Sequence, residues 1–205
     1  MEVRQLHAPR TGGTALAWAL RGTRVKRCGH AKRLVDLDPT DRVVTTVRDP
    51  VDRFASTWGW LRRTGCAVRS PEELLAASRY VVGPHLDLLR SQSWWLGPPA
   101  LLHRRALWIG RTEHLDEDLP HVFETVGVPT EWVNRRVAGA GNDTADLTLP
   151  GAGAPVAIRR HASLTPDLAE RLRAINPLDV EIHHLAMELR SAWRERLDTR
   201  GGNAA

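Results

Sequence analysis

The sequence has few cysteines, few lysines and no long apolar run. Its two cysteines among 205 residues, Cys28 and Cys66, exclude a disulfide framework and a cysteine-rich zinc site and are typical of a reducing compartment. No apolar run approaches the ~18 residues that a membrane-spanning helix needs. The first residues lack the basic end and the apolar stretch of a secretory signal. We therefore expect a single cytoplasmic domain over residues 1–197, a disordered tail at 198–205 and no membrane partner.

Lysine is nearly absent, and arginine carries the positive charge. Lys26 and Lys32 are the only lysines among 29 basic residues, so arginine supplies the other 27, and the formal net charge is +5. A coding bias toward arginine and alanine would explain this, and so would an anionic ligand, because guanidinium groups suit phosphate or sulfate oxygens. The sequence has no lysine-rich run and few aromatic residues besides tryptophan, so nucleic acid is not a predicted partner.

Strand patterns alternate with helix patterns in the first half of the chain. An extended stretch at 3–9 precedes a glycine turn at 11–13 and a helix. A β-branched strand at 42–48 ends at Asp49 and Pro50, which suit an N-cap and a first helical position. This alternation predicts an α/β fold with a parallel central sheet flanked by helices. Both turns are expected at the carboxyl ends of the strands, where such sheets bind ligands.

The rest of the chain continues the alternation and ends in helices. Two helices broken at Gly83 are predicted between 71 and 95, and a strand at 106–110. A glycine-rich loop follows at 139–155, and C-terminal helices begin at Thr165. In the last helix, apolar residues at three- and four-residue spacings predict a core-facing stripe: Leu178, Ile182, Leu185, Leu189, Trp193 and Leu197.

The first glycine turn is a candidate phosphate-binding loop. Residues 7–14 read His-Ala-Pro-Arg-Thr-Gly-Gly-Thr. Glycines let backbone N–H groups curl around a phosphate, and the start of a helix adds partial positive charge. Thr11 and Thr14 would add hydroxyl donors, and Arg10 a fixed charge. A Walker A loop requires lysine where Gly13 stands, so an ATP-dependent small-molecule kinase would lack its central residue.

Residues 48–56 form a second motif at the end of the β-branched strand. Arg48 leaves the strand end, and Ser56 follows about two turns into the next helix. A phosphate beside that helix would meet both side chains. The alternative is an ion pair of Arg48 with Asp52 and a solvated Ser56.

Together the two motifs resemble those of the sulfotransferases that use 3′-phosphoadenosine 5′-phosphosulfate (PAPS). Residues 9–14 match that family's Pro-Lys-Thr-Gly-Gly-Thr loop with arginine for lysine, and residues 48–56 match its Arg-Asp-Pro-x-x-Arg-x-x-Ser motif fully. Residues 109–119 and 164–185, with Asp179, are similar to the family's late strand and closing helices. The resemblance implies a P-loop nucleoside-triphosphate-hydrolase-like sulfotransferase fold in a small bacterial-type enzyme. It also implies transfer of the sulfuryl group of PAPS to an acceptor hydroxyl.

The resemblance also implies a role for each motif residue. The 5′-phosphosulfate would lie in the loop, and Arg48 and Ser56 would hold the 3′-phosphate. Arg10 replaces the catalytic lysine that steadies charge on the bridging oxygen; arginine supplies that charge but cannot donate a proton at neutral pH. The predicted PAPS-binding residues are Arg10, Thr11, Gly12, Gly13, Thr14, Ala15, Arg48 and Ser56.

Transfer to a hydroxyl also calls for a general base, and His30 is the predicted one. Residues 29–34 are similar to the region of heparan sulfate 2-O-sulfotransferases in which a catalytic histidine precedes the same strand. The ordinary histidine pKa of ~6.5 suits proton abstraction at neutral pH. The alternative is an exposed histidine on a polar segment. Asp36, Asp38 and Glu113 are the competing candidates, with a structural role at the strand end favoured for Glu113.

The acceptor is predicted to be a carbohydrate, or a glycosylated or other small-molecule natural product. Similarity to the glycan 2-O-sulfotransferases favours this, as would stacking of Trp94 and Trp95 on a sugar, although paired tryptophans more often pack in a core. The basic residues at 159–161 are either further nucleotide contacts or a solvated patch.

Other assignments of the two motifs remain open. The adjacent His183 and His184 face different directions on a helix, so no metal is predicted. An ATP-dependent kinase of related fold and a non-catalytic nucleotide-binding module are the alternatives to a sulfotransferase.

Overall fold

A parallel four-stranded sheet forms the centre of the described part of the chain. The computed structural model describes residues 1–65, 67–77, 89–128 and 164–201. Across the sheet the strands run in the order β2-β1-β3-β4, so β2 and β4 are its edges. The predicted α/β class is confirmed. The strands are β1 (Val3–Gln5), β2 (Lys26–Arg27), β3 (Arg42–Val47) and β4 (Ala106–Arg111).

The helices begin where the sequence places their caps. The Asp49 carboxylate accepts hydrogen bonds from the N–H groups of Val51 and Asp52 at 2.8 and 3.3 Å, as an N-cap does. Two 3₁₀ turns lie at Leu34–Asp36 and Thr112–His114. The α-helices of the described residues are α1 (Gly13–Ala19), α2 (Pro50–Arg63), α3 (Pro71–Ala77), α4 (Gln92–Leu96), α5 (Pro99–Arg105), α6 (Leu115–Thr125), α7 (Pro166–Ile175) and α8 (Pro177–Gly201).

Helices cover both faces of the sheet. Val43 and Val47 of β3 belong to the core under α4, α5 and α8, whereas Val44 belongs to the core under α1 and α6. This is the two-residue alternation of a strand that is buried on both faces. A third core joins α2, α3 and α7 through Phe54, Trp58, Leu61, Leu74, Leu168 and Leu172. The helix that follows β3 is therefore anchored beyond the carboxyl edge of the sheet.

Helix α8 differs from its predicted pattern at both ends. Ile182 is fully buried as predicted, but Leu178 is 43% exposed, because Asp179 takes the inward position at the start of the helix. The helix continues through Gly201, so residues 198–201 are helical where a disordered tail was predicted. The rest of that tail lies outside the described residues.

Several predictions fall on residues that the structure does not describe. These are the helix break at Gly83, the loop at 139–155 and the basic residues at 159–161. No helix in the described ranges is long and apolar enough to cross a membrane.

Candidate functional site

The loop between β1 and α1 is closed by its own hydrogen bonds. Gln5, buried at the end of β1, donates from Nε2 to the carbonyl oxygen of Gly13 at 2.6 Å. The hydroxyl of Thr11 donates to the carbonyl oxygen of Ala8 at 2.8 Å, and Thr11 is fully buried. In this structure the hydroxyl hydrogen is used inside the turn, and donation from that hydroxyl to a ligand stays a prediction. Its backbone N–H group stays a predicted contact.

Two positions of the loop require glycine, each for a different neighbour. A Cβ on Gly13 would lie 2.0 Å from Cδ2 of His7, so only glycine lets the buried histidine ring close over it. Gly12 has φ +73°, and a Cβ there would lie 3.0 Å from Cγ2 of Thr112. Arg10 also adopts a positive φ of 66°, which residues other than glycine seldom do. The curled shape of the loop is thus set by packing within the fold.

Arg10 joins the first motif to the second. Its Nε and Nη2 donate to the hydroxyl oxygen of the buried Ser56 at 3.1 and 2.9 Å. One turn earlier in α2, Nε of Arg53 donates to the carbonyl oxygen of Pro9 at 2.9 Å, and Arg53 is itself buried. The two motifs that the sequence separates by about forty residues are therefore held together by two arginines.

Positive charge accumulates around Arg10. Burial, and to a smaller extent the nearby guanidinium groups of Arg63 and Arg48, lower the pKa of Arg10 to about 10. Arg10 remains a cation at neutral pH. The loop therefore lies in a region of clustered positive charge, which favours an anion.

A chain of hydrogen bonds fixes the backbone of Arg48. The Gln92 side chain accepts from N–H of Arg48 at 2.9 Å and donates to its carbonyl oxygen at 2.7 Å. Asp179 of α8 in turn accepts from the backbone N–H groups of Gln92 and Ser93 at 2.7 and 2.8 Å. Residues of α4 and α8 thus position the end of β3.

Glu113 lies between the side chains of two arginines. Its Oε1 is 3.9 Å from Nε of Arg48, and its Oε2 is 3.6 Å from Nε of Arg111. Arg48 is therefore paired with Glu113, whereas the alternative considered above was a pair with Asp52. The structural role favoured for Glu113 agrees with this position.

His30 reaches the loop through a second histidine. Its Nε2 lies 3.1 Å from Nδ1 of His7, with the rings edge to face and their centroids 4.4 Å apart. The indole N–H of Trp95 donates to the carbonyl oxygen of His30 at 3.0 Å. Burial lowers the pKa of His7 to about 3, assisted by His30, Arg27 and Arg10, so His7 is neutral at physiological pH. The predicted base is thus anchored beside the loop, with His7 between.

The competing aspartates are engaged elsewhere. Asp36 accepts two hydrogen bonds from the Arg33 guanidinium, at 3.0 and 2.8 Å, and both side chains are partly exposed. Asp38 accepts from the backbone and hydroxyl of Thr40 in the turn before β3. That turn is at the amino edge of the sheet, opposite the loop. Neither aspartate therefore shares the site with Arg10.

In each of the adjacent pairs Trp94–Trp95 and His183–His184, one side chain is buried and the other is exposed. Trp95 is fully buried, whereas Trp94 is 36% exposed. His183 is 7% exposed and His184 faces solvent, so the pair does face different directions. Within the described ranges no three histidine, cysteine or acidic side chains lie close enough together to hold a metal ion.

Sequence reasoning identified the arginines of the motifs but missed the residues that support them. Thr14 is exposed at the start of α1, and Ala15 is partly buried there. Arg53 stands inside a motif, so its spacing was a usable signal. Gln92 and Asp179 lie 87 residues apart and only the fold brings them together. The supporting residues that were not predicted are Gln5, His7, Arg53, Gln92, Arg111 and Thr112.

A separate cavity of about 300 Å³ lies along the outer edge of the sheet. It starts at Arg42 and Ala106, at the amino ends of β3 and β4, and extends between α6 and α8 to Trp193. None of the loop residues lines it. We place the candidate site at the carboxyl edge instead, because the arginines and both motifs meet there.

Comparison with known proteins gives a distant structural likeness. The chain matches no model of a known protein family, and no curated protein is detectably similar to it. The crystal structure of a sulfotransferase from Alicyclobacillus acidocaldarius is similar with a TM-score of 0.45 and 21% sequence identity, over 76% of this chain and 58% of that one. The chain thus spans less than two thirds of that protein's length. A likeness this distant does not establish a function.

Proposed function

We propose that the chain is a sulfotransferase that moves the sulfuryl group of PAPS to an acceptor hydroxyl. The observation that carries the proposal is the contact of Arg10 with Ser56, at 3.1 and 2.9 Å, which sets the two motifs side by side with Arg48. A ligand that bears both a 5′-phosphosulfate and a 3′-phosphate needs two such neighbouring anion sites. ATP has no 3′-phosphate, so a kinase would leave the second motif unexplained.

The donor groups at this edge fit an anionic nucleotide. Nε of Arg48 is buried and has no hydrogen-bond partner within the described residues. Arg10 keeps its charge at neutral pH because its pKa is lowered only to about 10. Ser56 accepts from Arg10, and a hydroxyl that accepts still has its own hydrogen to donate. Arg48 and Ser56 are therefore suited to the 3′-phosphate, and the loop N–H groups with Arg10 to the 5′ end.

When bound, PAPS supplies an activated sulfuryl group. Arg10 keeps a fixed positive charge at the loop, where it stabilises negative charge that develops on the leaving side. Its guanidinium stays protonated throughout, so it acts by charge and position alone. The two hydrogen bonds of the Gln92 side chain to the Arg48 backbone limit the movement of Arg48. They thereby position the nucleotide that Arg48 would bind.

His30 takes the proton of the acceptor hydroxyl in this proposal. The ring would become an imidazolium, whose proton passes to solvent after transfer. Contact with the neutral His7 and anchoring of its carbonyl by Trp95 keep His30 next to the loop. A carbohydrate or a glycosylated small molecule is the proposed acceptor. The cytoplasmic location and the bacterial type stay predictions.

Thermal unfolding with nucleotides tests the proposal first. PAP, the 3′,5′-bisphosphate product, at about 100 times its dissociation constant should stabilise the fold by ~2.7 kcal/mol and raise Tm by about 5–11 °C. ADP at equal ionic strength should raise it far less, because it lacks a 3′-phosphate. Equal shifts would indicate a general nucleotide pocket, and no shift with either ligand would contradict the proposal.

A matched pair of variants locates the binding site. Arg48→Met should weaken PAP binding by about 10–100-fold, because a charge-assisted contact is lost. Arg104→Met removes an exposed arginine of α5 and should leave the affinity unchanged. Equal PAP affinity in both variants would remove Arg48 from the site.

A further inference from the structure

Three buried nitrogen atoms near the carboxyl ends of β3 and β4 have no hydrogen-bond partner in the described part of the chain. They are Nε of Arg48, Nε of Arg111 and Nε2 of His183. The arginine side chains are 17% and 20% exposed, and His183 is 7% exposed. Buried polar groups are nearly always paired in folded proteins, so three such atoms at one place call for a partner from outside the fold.

The fold itself brings these three side chains together. Arg111 is paired in register with Val47 of β3, and Arg48 is the next residue along that chain. His183 follows Asp179 by one turn on the inward face of α8, and both are buried. The neighbouring Ile182 of α8 shares a core with Val47 and Ile109 of the two strands, and the charges of Arg111 and Glu113 act on the ring of His183. Rigid elements thus supply all three donors.

The neighbouring carboxylates leave the donors unsatisfied. Glu113 lies 3.9 and 3.6 Å from the two arginine Nε atoms, beyond hydrogen-bond distance of either. Asp49 caps α2 through the N–H of Val51 at 2.8 Å and lies 3.8 Å from Arg173. Neither acid therefore completes the hydrogen bonds of the three nitrogen atoms.

We propose that Arg48, Arg111 and His183 form a subsite for one tetrahedral oxyanion, a phosphate or sulfate group. Such a group offers several acceptor oxygens and negative charge at once, which matches two guanidinium groups and an imidazole N–H. Glu113 occupies the space between the arginines and moves aside when the anion binds. Where the oxyanion is the 3′-phosphate of a nucleotide, the inference rests on the proposed function. Where it is a free anion or an anionic group of the acceptor, it does not.

Calorimetric titration with inorganic phosphate, PAP and ADP tests the subsite. Arg111→Met and His183→Leu should each weaken phosphate binding by about 10-fold, since each removes one donor to a charged ligand. His184→Leu changes the adjacent exposed histidine and should bind phosphate as the unaltered chain does. His183→Gln, whose amide can donate from a similar position, should recover part of the lost affinity.

A change at Glu113 tests the subsite without removing any of its three hydrogen-bond donors. Glu113→Gln takes away the carboxylate that competes with the anion, so phosphate affinity should rise about 3–10-fold. Unchanged or weaker phosphate binding in this variant would overturn the proposal, even if the other variants fail to fold.

The three ligands separate the sources of the oxyanion. Loss of phosphate and PAP affinity together, with ADP unchanged, assigns the subsite to the 3′-phosphate. Loss of phosphate affinity alone assigns it to a free anion or an anionic acceptor group. Equal PAP and ADP affinity with Arg111-dependent phosphate binding would retain the subsite and refute the proposed function. Unchanged affinity for phosphate and PAP in both folded variants would overturn the subsite.

Discussion

The two edges of the central sheet use arginine in opposite ways. At the amino edge, the buried Arg105 donates to the carbonyl oxygens of Leu34 at 3.0 Å and of Asp41 at 3.3 and 3.2 Å, and also to that of Asp38. Arg42 donates to the carbonyl oxygens that begin β4, at 3.1 and 2.7 Å. These guanidinium groups donate to backbone carbonyl oxygens of their own chain and have a structural role.

At the carboxyl edge the arginines remain partly unsatisfied. Nε of Arg48 and Nε of Arg111 are buried and have no hydrogen-bond partner within the described residues, and Arg10 donates to a neutral hydroxyl. Composition cannot distinguish the two groups, because 27 arginines fit a coding bias and an anion site equally well. What separates them is whether the fold itself supplies acceptors. Among the described arginines of these two edges, the buried nitrogen atoms without a hydrogen-bond partner, those of Arg48 and Arg111, lie at the carboxyl edge.

The largest expected effect is the loss of transfer in His30→Ala. Removal of a general base costs about 10²–10⁴-fold in rate. The affinity for PAP should stay unchanged, because among the described contacts His30 reaches the loop through His7. The measurement is PAP release from PAPS in the presence of a panel of glycosides.

His103→Ala, on the surface of α5, is the matched control and should transfer sulfate at the original rate. Full activity in His30→Ala would remove His30 from the proposed mechanism.

Acid should destabilise the two edges over different pH ranges. The pKa of His7 falls from 6.5 to about 3 through burial, so the unfolded chain binds the extra proton and stability decreases as pH drops from 6.5 toward 3. Between pH 5 and 4 this amounts to about 1.4 kcal/mol per pH unit. A hydrogen bond from the Glu2 N–H lowers the pKa of Asp41 from its ordinary value of 3.8. The stability that the Asp41 carboxylate contributes is therefore present above pH 3.8 and is lost only as the pH falls below it.

Urea denaturation of His7→Asn across this range measures the difference. The variant should lose stability less steeply than the original chain between pH 6 and 4, whatever its absolute stability. Parallel pH profiles would show that His7 is not the group that titrates.

Arg105→Met should destabilise the fold without affecting the ligand. The carbonyl oxygen of Asp41 loses both hydrogen bonds from Arg105, whereas those of Leu34 and Asp38 each keep a backbone donor, so the expected cost is about 1–3 kcal/mol. Urea denaturation gives the free energy of unfolding, and PAP titration of the folded fraction should give the original affinity.

Arg111→Met is the counterpart at the other edge. Nε of Arg111 lies 3.6 Å from Glu113 but has no hydrogen-bond partner in the described ranges, so the free energy of unfolding should change by less than about 1 kcal/mol. Similar losses of stability in the two variants would remove the contrast between the edges.

The sequence predicted those parts of the site that are formed by residues close together along the chain. Glycine spacing, the β-branched run into Asp49 and the Arg48 to Ser56 interval predicted the loop, the strand and the edge at which they meet. No local sequence pattern indicates which side chains will become hydrogen-bond partners once the chain has folded. Nothing near Thr11 indicates that Ala8 takes its hydroxyl hydrogen. The amphipathic pattern likewise placed Leu178 in the core, because an apolar count does not anticipate a buried aspartate at the next position.

The smallest expected effect tests whether the carboxyl edge is positioned by residues remote from the ligand. In Asp179→Asn one of the two acceptor oxygens becomes an amide, so Gln92 or Ser93 loses its backbone partner and the clamp on Arg48 loosens. PAP affinity should fall about 3–10-fold, with a stability loss of about 1 kcal/mol.

Gln92→Leu should lower PAP affinity similarly, and the double variant should lose little more, because both changes act through the Arg48 backbone. Asp167→Asn, at an 82% exposed side chain of α7, is the control. Additive losses in the double variant would show that Asp179 supports the fold in general and does not position Arg48.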